Sequence, residues 1–169
     1  MSHEYTYDIS MFRDTFETRF TYLNGFLRNV SRFGSRPALF DPRSGRRWTY
    51  RELNAEANRL AHALRADGVG KNDVVMFTLL NSPEFVFCYL AAHKIGAVAC
   101  PVNYRQGAGE IALVIDDSTP KAFIYDAEFG ELSGGALDLC ENKPAIKIVV
   151  GADDAVPAGR GTQCISSLF

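Results

Sequence analysis

Side chains able to do chemistry are thinly scattered through the 169 residues. His62 and His93 each fall within an apolar helical pattern, with no ligand or nucleophile partner at a metal-site or triad spacing, so both read as core or helix-surface histidines. Asp116 and Asp117 are adjacent carboxylates, but successive helix residues do not face one another and cannot share a proton or an ion. Gly68-Val69-Gly70-Lys71 approaches a phosphate loop, yet the frame G-x-x-x-x-G-K-[ST] requires glycine where Arg65 stands and a hydroxyl where Asn72 stands. The Gly130 to Gly135 segment is not G-x-G-x-x-G, and no G-x-S-x-G elbow is present. Cys88, Cys100, Cys140 and Cys164 form no C-x-x-C pair and are expected to be reduced thiols. The residue pattern alone therefore yields no catalytic residue and no metal-ligand set.

Charge and composition narrow the classes further. Eighteen Lys and Arg against 20 Asp and Glu leave a formal charge of -2, which gives no electrostatic footprint for nucleic acid and no polybasic patch. An apolar fraction of 47% is ample for a packed core and excludes a disordered tail. The start, Met1-Ser2-His3-Glu4-Tyr5, lacks a basic region followed by an apolar one, and no run approaches the roughly 18 apolar residues of a membrane span. The expectation is a cytoplasmic protein with no transmembrane segment.

The elements that would position any site follow from periodicity. Phe12, Phe16, Phe20, Leu23, Leu27 and Val30 form an amphipathic helical stripe, with Gly25 weakening its middle. Its polar face, Arg13, Asp14, Glu17, Arg19 and Arg28, is mixed in sign, which favours docking on a protein surface over lying on a membrane. Two short extended runs, Pro37 to Phe40 and Arg46 to Thr49, flank the turn Asp41 to Gly45 as a hairpin. Thr49 and Glu52 have the spacing of a reciprocal helix cap, followed by Leu53, Ala57, Leu60, Ala61 and Leu64 on one face and Gly68 as terminator. Asp73 to Leu80 is almost continuously apolar, as expected of a central strand covered on both faces. A buried helix from Phe85 to about Ile95 comes next, preceded by capping residues at Asn81-Ser82-Pro83-Glu84 and ended by Gly96. Strands at Val98 to Val102, Lys121 to Tyr125 and Ala145 to Val150 alternate with helices at Gly109 to Asp117 and Glu131 to Cys140. This is the pattern of an α/β protein with a mainly parallel, helix-covered sheet. Three parts are expected: an N-terminal amphipathic helix docking on the domain (1–35), an α/β subdomain (36–150), and an irregular tail (151–169).

Three patches together resemble the acyl-adenylate-forming superfamily of AMP-binding acyl-CoA synthetases, adenylation domains and luciferases. Trp48-Thr49-Tyr50-Arg51-Glu52-Leu53 resembles the family motif T-Y-x-E-L. Gly68 to Val75, followed by Asn81-Ser82-Pro83-Glu84-Phe85, is similar to G-x-x-x-G-D-x-V … N-S-x-E-F, with Asn72 in place of the usual glycine. Lys94 to Asn103 resembles K-x-G-A-x-x-x-P-x-N, and Glu110-Ile111 and Asp117 to Lys121 continue the likeness. Asn tolerates a positive φ, so the turn at Asn72 is expected to survive.

The resemblance implies an incomplete part of the large N-terminal domain of an adenylate-forming enzyme. The family's Ser/Thr/Gly-rich phosphate loop, ribose-binding Asp and catalytic Lys do not occur before Phe169, so the chain alone is expected to be inactive. The parent would use ATP, Mg²⁺ and CoA to convert a carboxylic acid to its adenylate and then to its thioester. Thr49, Glu52, Gly96 and Pro101 are then architectural. The loop Asn103-Tyr104-Arg105 would lie near the CoA entrance, with Arg105 either meeting a phosphate or facing solvent. Two other readings stand beside this one: a stand-alone α/β module that binds a nucleotide or CoA without chemistry, and an interaction protein presenting the Phe12 to Phe33 stripe. An incomplete sheet would also leave edges available for self-association.

Overall fold

The computed structural model describes residues 9–151 and 162–165. Helix α1 (Ile9–Arg13) runs into a π-helical turn (Asp14–Arg19), and the chain restarts as α2 (Tyr22–Phe33). Where the spacing from Phe12 to Val30 predicts one helix, there is a break at Phe20 and Thr21. Thr21 is extended, and its hydroxyl accepts the Asn24 N–H at 3.2 Å. A threonine that satisfies a helix-start donor in this way competes with continuation of the preceding helix. Gly25 sits inside α2 without interrupting it. Phe26 is buried with Leu23 and Val30 packed beside it, whereas Phe16 and Phe20 are 52% and 67% exposed, so the core takes only the second half of the stripe.

β1 (Pro37–Phe40) and β2 (Arg47–Thr49) pair as an antiparallel hairpin. Asp41 holds its turn by accepting the N–H groups of Arg43 and Ser44. Helix α3 (Tyr50–Ala66) opens on the expected cap: Thr49 Oγ1 accepts the Glu52 N–H at 3.2 Å, and Glu52 Oε2 accepts the Thr49 N–H at 2.8 Å. These bonds hold the Glu52 carboxyl below its ordinary range. Leu53, Ala57, Leu60, Ala61 and Leu64 are all buried.

The main sheet is built from β3 (Val74–Thr78), β4 (Val98–Pro101), β5 (Ala122–Asp126), β6 (Ile146–Val150) and β7 (Thr162–Cys164). Its order is β4-β3-β5-β6-β7, with every neighbouring pair parallel. β3 is interior, but β5 takes the middle place. The tail expected to be irregular supplies β7, which pairs Lys147, Ile148 and Val149 with Thr162, Gln163 and Cys164. Three residues are too few for a readable period, and this strand is specified by backbone pairing to β6. The rest of the tail (152–161 and 166–169) lies outside the described residues.

Helices α4 (Pro83–Ile95), α5 (Ala108–Ser118) and α6 (Gly130–Leu139) cover the sheet. Val75, Phe77, Ile124 and Ile148 bury one face in a core shared with α2, α3, α4 and the hairpin. Met76, Phe123, Tyr125 and Val149 bury the other face in the core of α5 and α6. The same alternation that places successive strand residues on opposite faces thus feeds two separate cores. Cys88 is fully buried in α4, and desolvation pushes its thiol well above the ordinary range; Cys88, Cys100 and Cys140 are free thiols.

Two polar pins fix the layers. Asp73 Oδ2 accepts the Gly70 N–H at 2.7 Å and the Lys121 ammonium at 3.0 Å, while Lys121 Nζ also donates to Gly68 O at 2.6 Å. The Gly70 N–H and then Lys121 keep the Asp73 carboxyl below its ordinary range. Asn72, beside it, has φ 68°, as its type allows. On the other pin, Lys94 Nζ donates to Asn54 Oδ1 at 2.7 Å, tying α4 to α3, and lies 5.8 Å from the Phe26 ring centre. Partial burial lowers its pKa.

Gly96 ends α4 at φ 73°, and a Cβ there would stand 3.4 Å from Lys71 Cγ. Gly96→Ala should therefore cost about 1–2 kcal/mol, read as a lower denaturant midpoint at unchanged slope; an unchanged midpoint contradicts the strained-turn account. His93 packs half-buried against Tyr89 and Tyr22, at ring separations of 4.5 and 5.8 Å, and desolvation lowers its pKa. Its unfolded value, about 6.5, is then the higher one. The unfolded chain takes up the proton first, so stability is full above about pH 6.5 and declines as pH falls from there toward the folded value. Melting curves of His93→Phe between pH 7.5 and 5 should show a shallower decline than wild type; parallel declines contradict the assignment.

Candidate functional site at the carboxyl edge of the sheet

In open α/β sheets, ligands bind outside the carboxyl ends of the strands, where the strand order reverses. Here the chain leaves β3 for the edge strand β4 and returns across β3 to β5, so the reversal lies between β3 and β5. Thr78 ends β3 opposite Tyr125 of β5. It is fully buried, and its hydroxyl has no hydrogen-bond partner among the described residues. Beyond it, Ser82 Oγ accepts the Phe85 N–H at 3.4 Å to start α4. Asp126, at the end of β5, accepts the Glu128 N–H at 3.0 Å and opens a 3₁₀ turn (Ala127–Phe129).

The loop after β4 carries the predicted residues Asn103, Tyr104 and Arg105. Asn103 Oδ1 accepts the Arg105 N–H at 3.0 Å, and Asn103 O accepts the Gln106 N–H at 3.1 Å, so the asparagine folds the loop on itself. The Tyr104 ring stacks on Phe129 with centres 4.9 Å apart and planes 7° from parallel. Because β3 lies between β4 and β5, this stack reaches across the carboxyl end of β3. The Arg105 guanidinium lies 5.7 Å from the Tyr104 ring centre; the residue is exposed and makes no ion pair among the described residues. Gln106 Oε1 is buried without a hydrogen-bond partner among the described residues.

The other selected residues lie apart. Pro101 closes β4 opposite Phe77 and leads into this loop, whereas Thr49 and Glu52 form the α3 cap and Gly96 lies against Lys71, before β4 begins. His62 is exposed on α3, and His93 lies in the Tyr22–Tyr89 cluster. Asp116 Oδ1 accepts the N–H groups of Glu141 and Asn142 at 2.9 and 2.8 Å, a structural tie from α5 to the loop after α6. Phe129 and Thr78 were not evident from residue type. The usable signal for Phe129 was Asp126-x-Glu128 at a strand end, a turn that sets the next side chain at the edge. The assembled edge offers an exposed cation, stacked rings and a helix start, features that suit a phosphate and a planar group. Among the described residues it holds no nucleophile with an adjacent base, and no cluster of three or more His, Cys, Asp or Glu that could hold a metal.

Residues 26–165 match the AMP-binding enzyme family. The 3-hydroxybenzoate/4-hydroxybenzoate–CoA ligase of Thauera aromatica is 44% identical over 107 residues, covering 63% of this chain and 20% of the relative. A putative long-chain-fatty-acid CoA ligase from Rhodopseudomonas palustris superposes with a TM-score of 0.77 at 31% identity, over 88% of this chain and 36% of that one. The N-terminal domain of FACL13 from Mycobacterium tuberculosis gives 0.68 at 33% identity, over 77% and 33%. The chain thus spans between a fifth and about a third of the proteins it resembles. Since the match takes in the hairpin, both pins and all five strands of the main sheet, the chain belongs to the AMP-binding enzyme family.

Proposed function

We propose that this chain is the N-terminal portion of an AMP-forming acid–CoA ligase. In that reaction a carboxylate oxygen attacks the α-phosphorus of ATP and pyrophosphate leaves. The CoA sulfur then attacks the acyl carbon, AMP leaves, and the thiol proton passes to solvent. The observation that carries the reading is the family match over residues 26–165, together with relatives whose names are those of acid–CoA ligases. The described residues do not fit a Mg²⁺ site, since no carboxylate cluster is present among them. ATP phosphates and Mg²⁺ are therefore assigned to parts of the ligase outside these described residues, and a cytoplasmic location is part of the same proposal.

Within this chain, Asn103, Tyr104 and Arg105 are assigned to the CoA entrance. Asn103 shapes the turn, Tyr104 is braced by Phe129, and Arg105 presents its guanidinium to a phosphate. Support comes from the absence of a competing carboxylate on Arg105 among the described residues and from its position at the carboxyl edge.

Incubated with ATP, Mg²⁺, CoA and a panel of aromatic and long-chain acids, the purified chain should release no pyrophosphate. Turnover comparable to an intact ligase overturns the reading of an inactive portion. In calorimetry the chain should bind CoA weakly, and Arg105→Gln should weaken it further by about two- to fivefold, the worth of one exposed ion pair. Equal CoA affinity in wild type and R105Q removes the loop from the CoA path. Tight binding of CoA or a nucleotide without turnover favours the stand-alone binding module.

A further inference from the structure

Ahead of the packed layers, α1 and its π-helical turn leave an apolar side open: Ile9, Phe12, Phe16 and Phe20 are 60%, 41%, 52% and 67% exposed. The three rings are continuous, with Phe12 and Phe16 centred 4.7 Å apart and Phe16 and Phe20 5.8 Å apart. Ile9 stands three residues before Phe12, on the same side of the helix. Five residues of α1 and six of the turn are fewer than the ~12–15 that an isolated helix needs in water. An arm this short keeps its shape when its apolar side is packed, and its own chain leaves that side open.

Charge, area and position say what covers it. Arg13, Asp14, Glu17 and Arg19 balance in sign and pair as Arg13 Nε with Glu17 Oε1 at 3.9 Å and Arg19 Nη2 with Asp14 Oδ2 at 2.9 Å. Helices that lie on a membrane are rich in Lys and Arg on the polar face; this arm brings no net charge to anionic lipid, and none with which two copies would repel. At ~200 Å² for a whole aromatic side chain, the three rings and Ile9 leave roughly 400 Å² of apolar surface open. A standard interface of ~800 Å² per partner is about 56–58% apolar, or about 450 Å², so two such arms supply the apolar part from both sides. A contact between unlike surfaces would need a second open apolar patch. Beyond α1, the turn and α2, the exposed large apolar side chains among the described residues are Phe40, Val98, Leu113 and Leu139, one each on β1, β4, α5 and α6. The counterpart of the ring ladder is therefore the same ladder on another copy, as a twofold contact requires. The arm also precedes residue 26, where the family match begins, so it stands outside the matched part.

We infer that α1 and the π-helical turn form a twofold dimer contact, in which the Phe12–Phe16–Phe20 ladder of one chain packs on the same ladder of a second copy. The inference uses no part of the ligase reading and stands or falls without it.

Sedimentation of the purified chain from about 1 to 100 μM should show a reversible monomer–dimer equilibrium. Phe16→Asp should weaken the dimer about thirtyfold or more, the worth of one interface hot spot, with the circular dichroism unchanged. Phe16→Leu keeps an apolar side chain of similar volume and should hold the dimer within about fivefold. Phe20 is the most exposed ring of the ladder, so Phe20→Ser reads the same loss if Phe16→Asp fails to fold. A chain that stays monomeric across that range overturns the inference, and one that does so yet floats with vesicles of phosphatidylcholine and phosphatidylglycerol overturns it in favour of lipid. A dimer that Phe16→Asp and Phe20→Ser leave intact overturns it too; if Val98→Lys then dissociates that dimer, the copies pair along the edge of β4.

Discussion

The constraint on which this fold depends is that β3 and β5 must be covered on both faces. Val75, Met76 and Phe77 of β3, and Phe123, Ile124 and Tyr125 of β5, are all essentially inaccessible to water. Such strands cannot lie at an exposed edge, so each needs a neighbour on either side and a helical layer above and below. The order β4-β3-β5-β6-β7 meets the first demand and the two cores meet the second. Burying six side chains of this size contributes about 1.5–3 kcal/mol each before entropy is counted. The polar pins matter because this apolar pairing is non-directional: Asp73 and Lys121 fix where β3 and β5 begin relative to each other, which burial alone does not specify.

Much of this was legible in the residues. Leu53, Ala57, Leu60, Ala61 and Leu64 declared one face of α3, Thr49 and Glu52 declared its start, and the unbroken apolar run after Asp73 declared a strand buried on both sides. These signals are local, and each agrees with the tertiary structure around it, as expected of a sequence whose levels are consistent. What could not be read depends on contacts between distant segments. The break at Thr21 turns on whether a threonine hydroxyl caps a helix or is passed over within one, a contest that periodicity does not register. β7 exists because β6 offers an open edge, and nothing in Thr162-Gln163-Cys164 announces it. The stack of Tyr104 on Phe129 joins residues 25 positions apart and follows only from the strand order, which single-strand patterns leave undetermined.

The family motifs acquire physical meaning in the same way. Thr49 and Glu52 close a reciprocal cap; Lys94 ties α4 to α3 through Asn54; Gly96 turns a buried helix back through a left-handed residue; Asp73 gathers Gly70 and Lys121. Each solves a problem of joining one element to the next.

The carboxyl edge is where the proposed reading places binding without reaction. Helix starts and the Arg105 guanidinium present positive charge, which attracts phosphate but neither accepts a proton nor attacks an electrophile. Asp126, at the end of β5, is engaged in capping the Glu128 N–H. Thr78 is a hydroxyl without a base, held inside the sheet rather than presented to a substrate. A surface of this kind orients a ligand whose reactive atoms are handled elsewhere. Orientation is itself a large share of catalysis, since fixing a reactant removes much of the entropic barrier to its reaction. In the proposed ligase, which would join an acid, a nucleotide and a thiol, a rigid parallel sheet with loops gathered at one edge would serve as the platform, and other parts would supply the groups that make and break bonds.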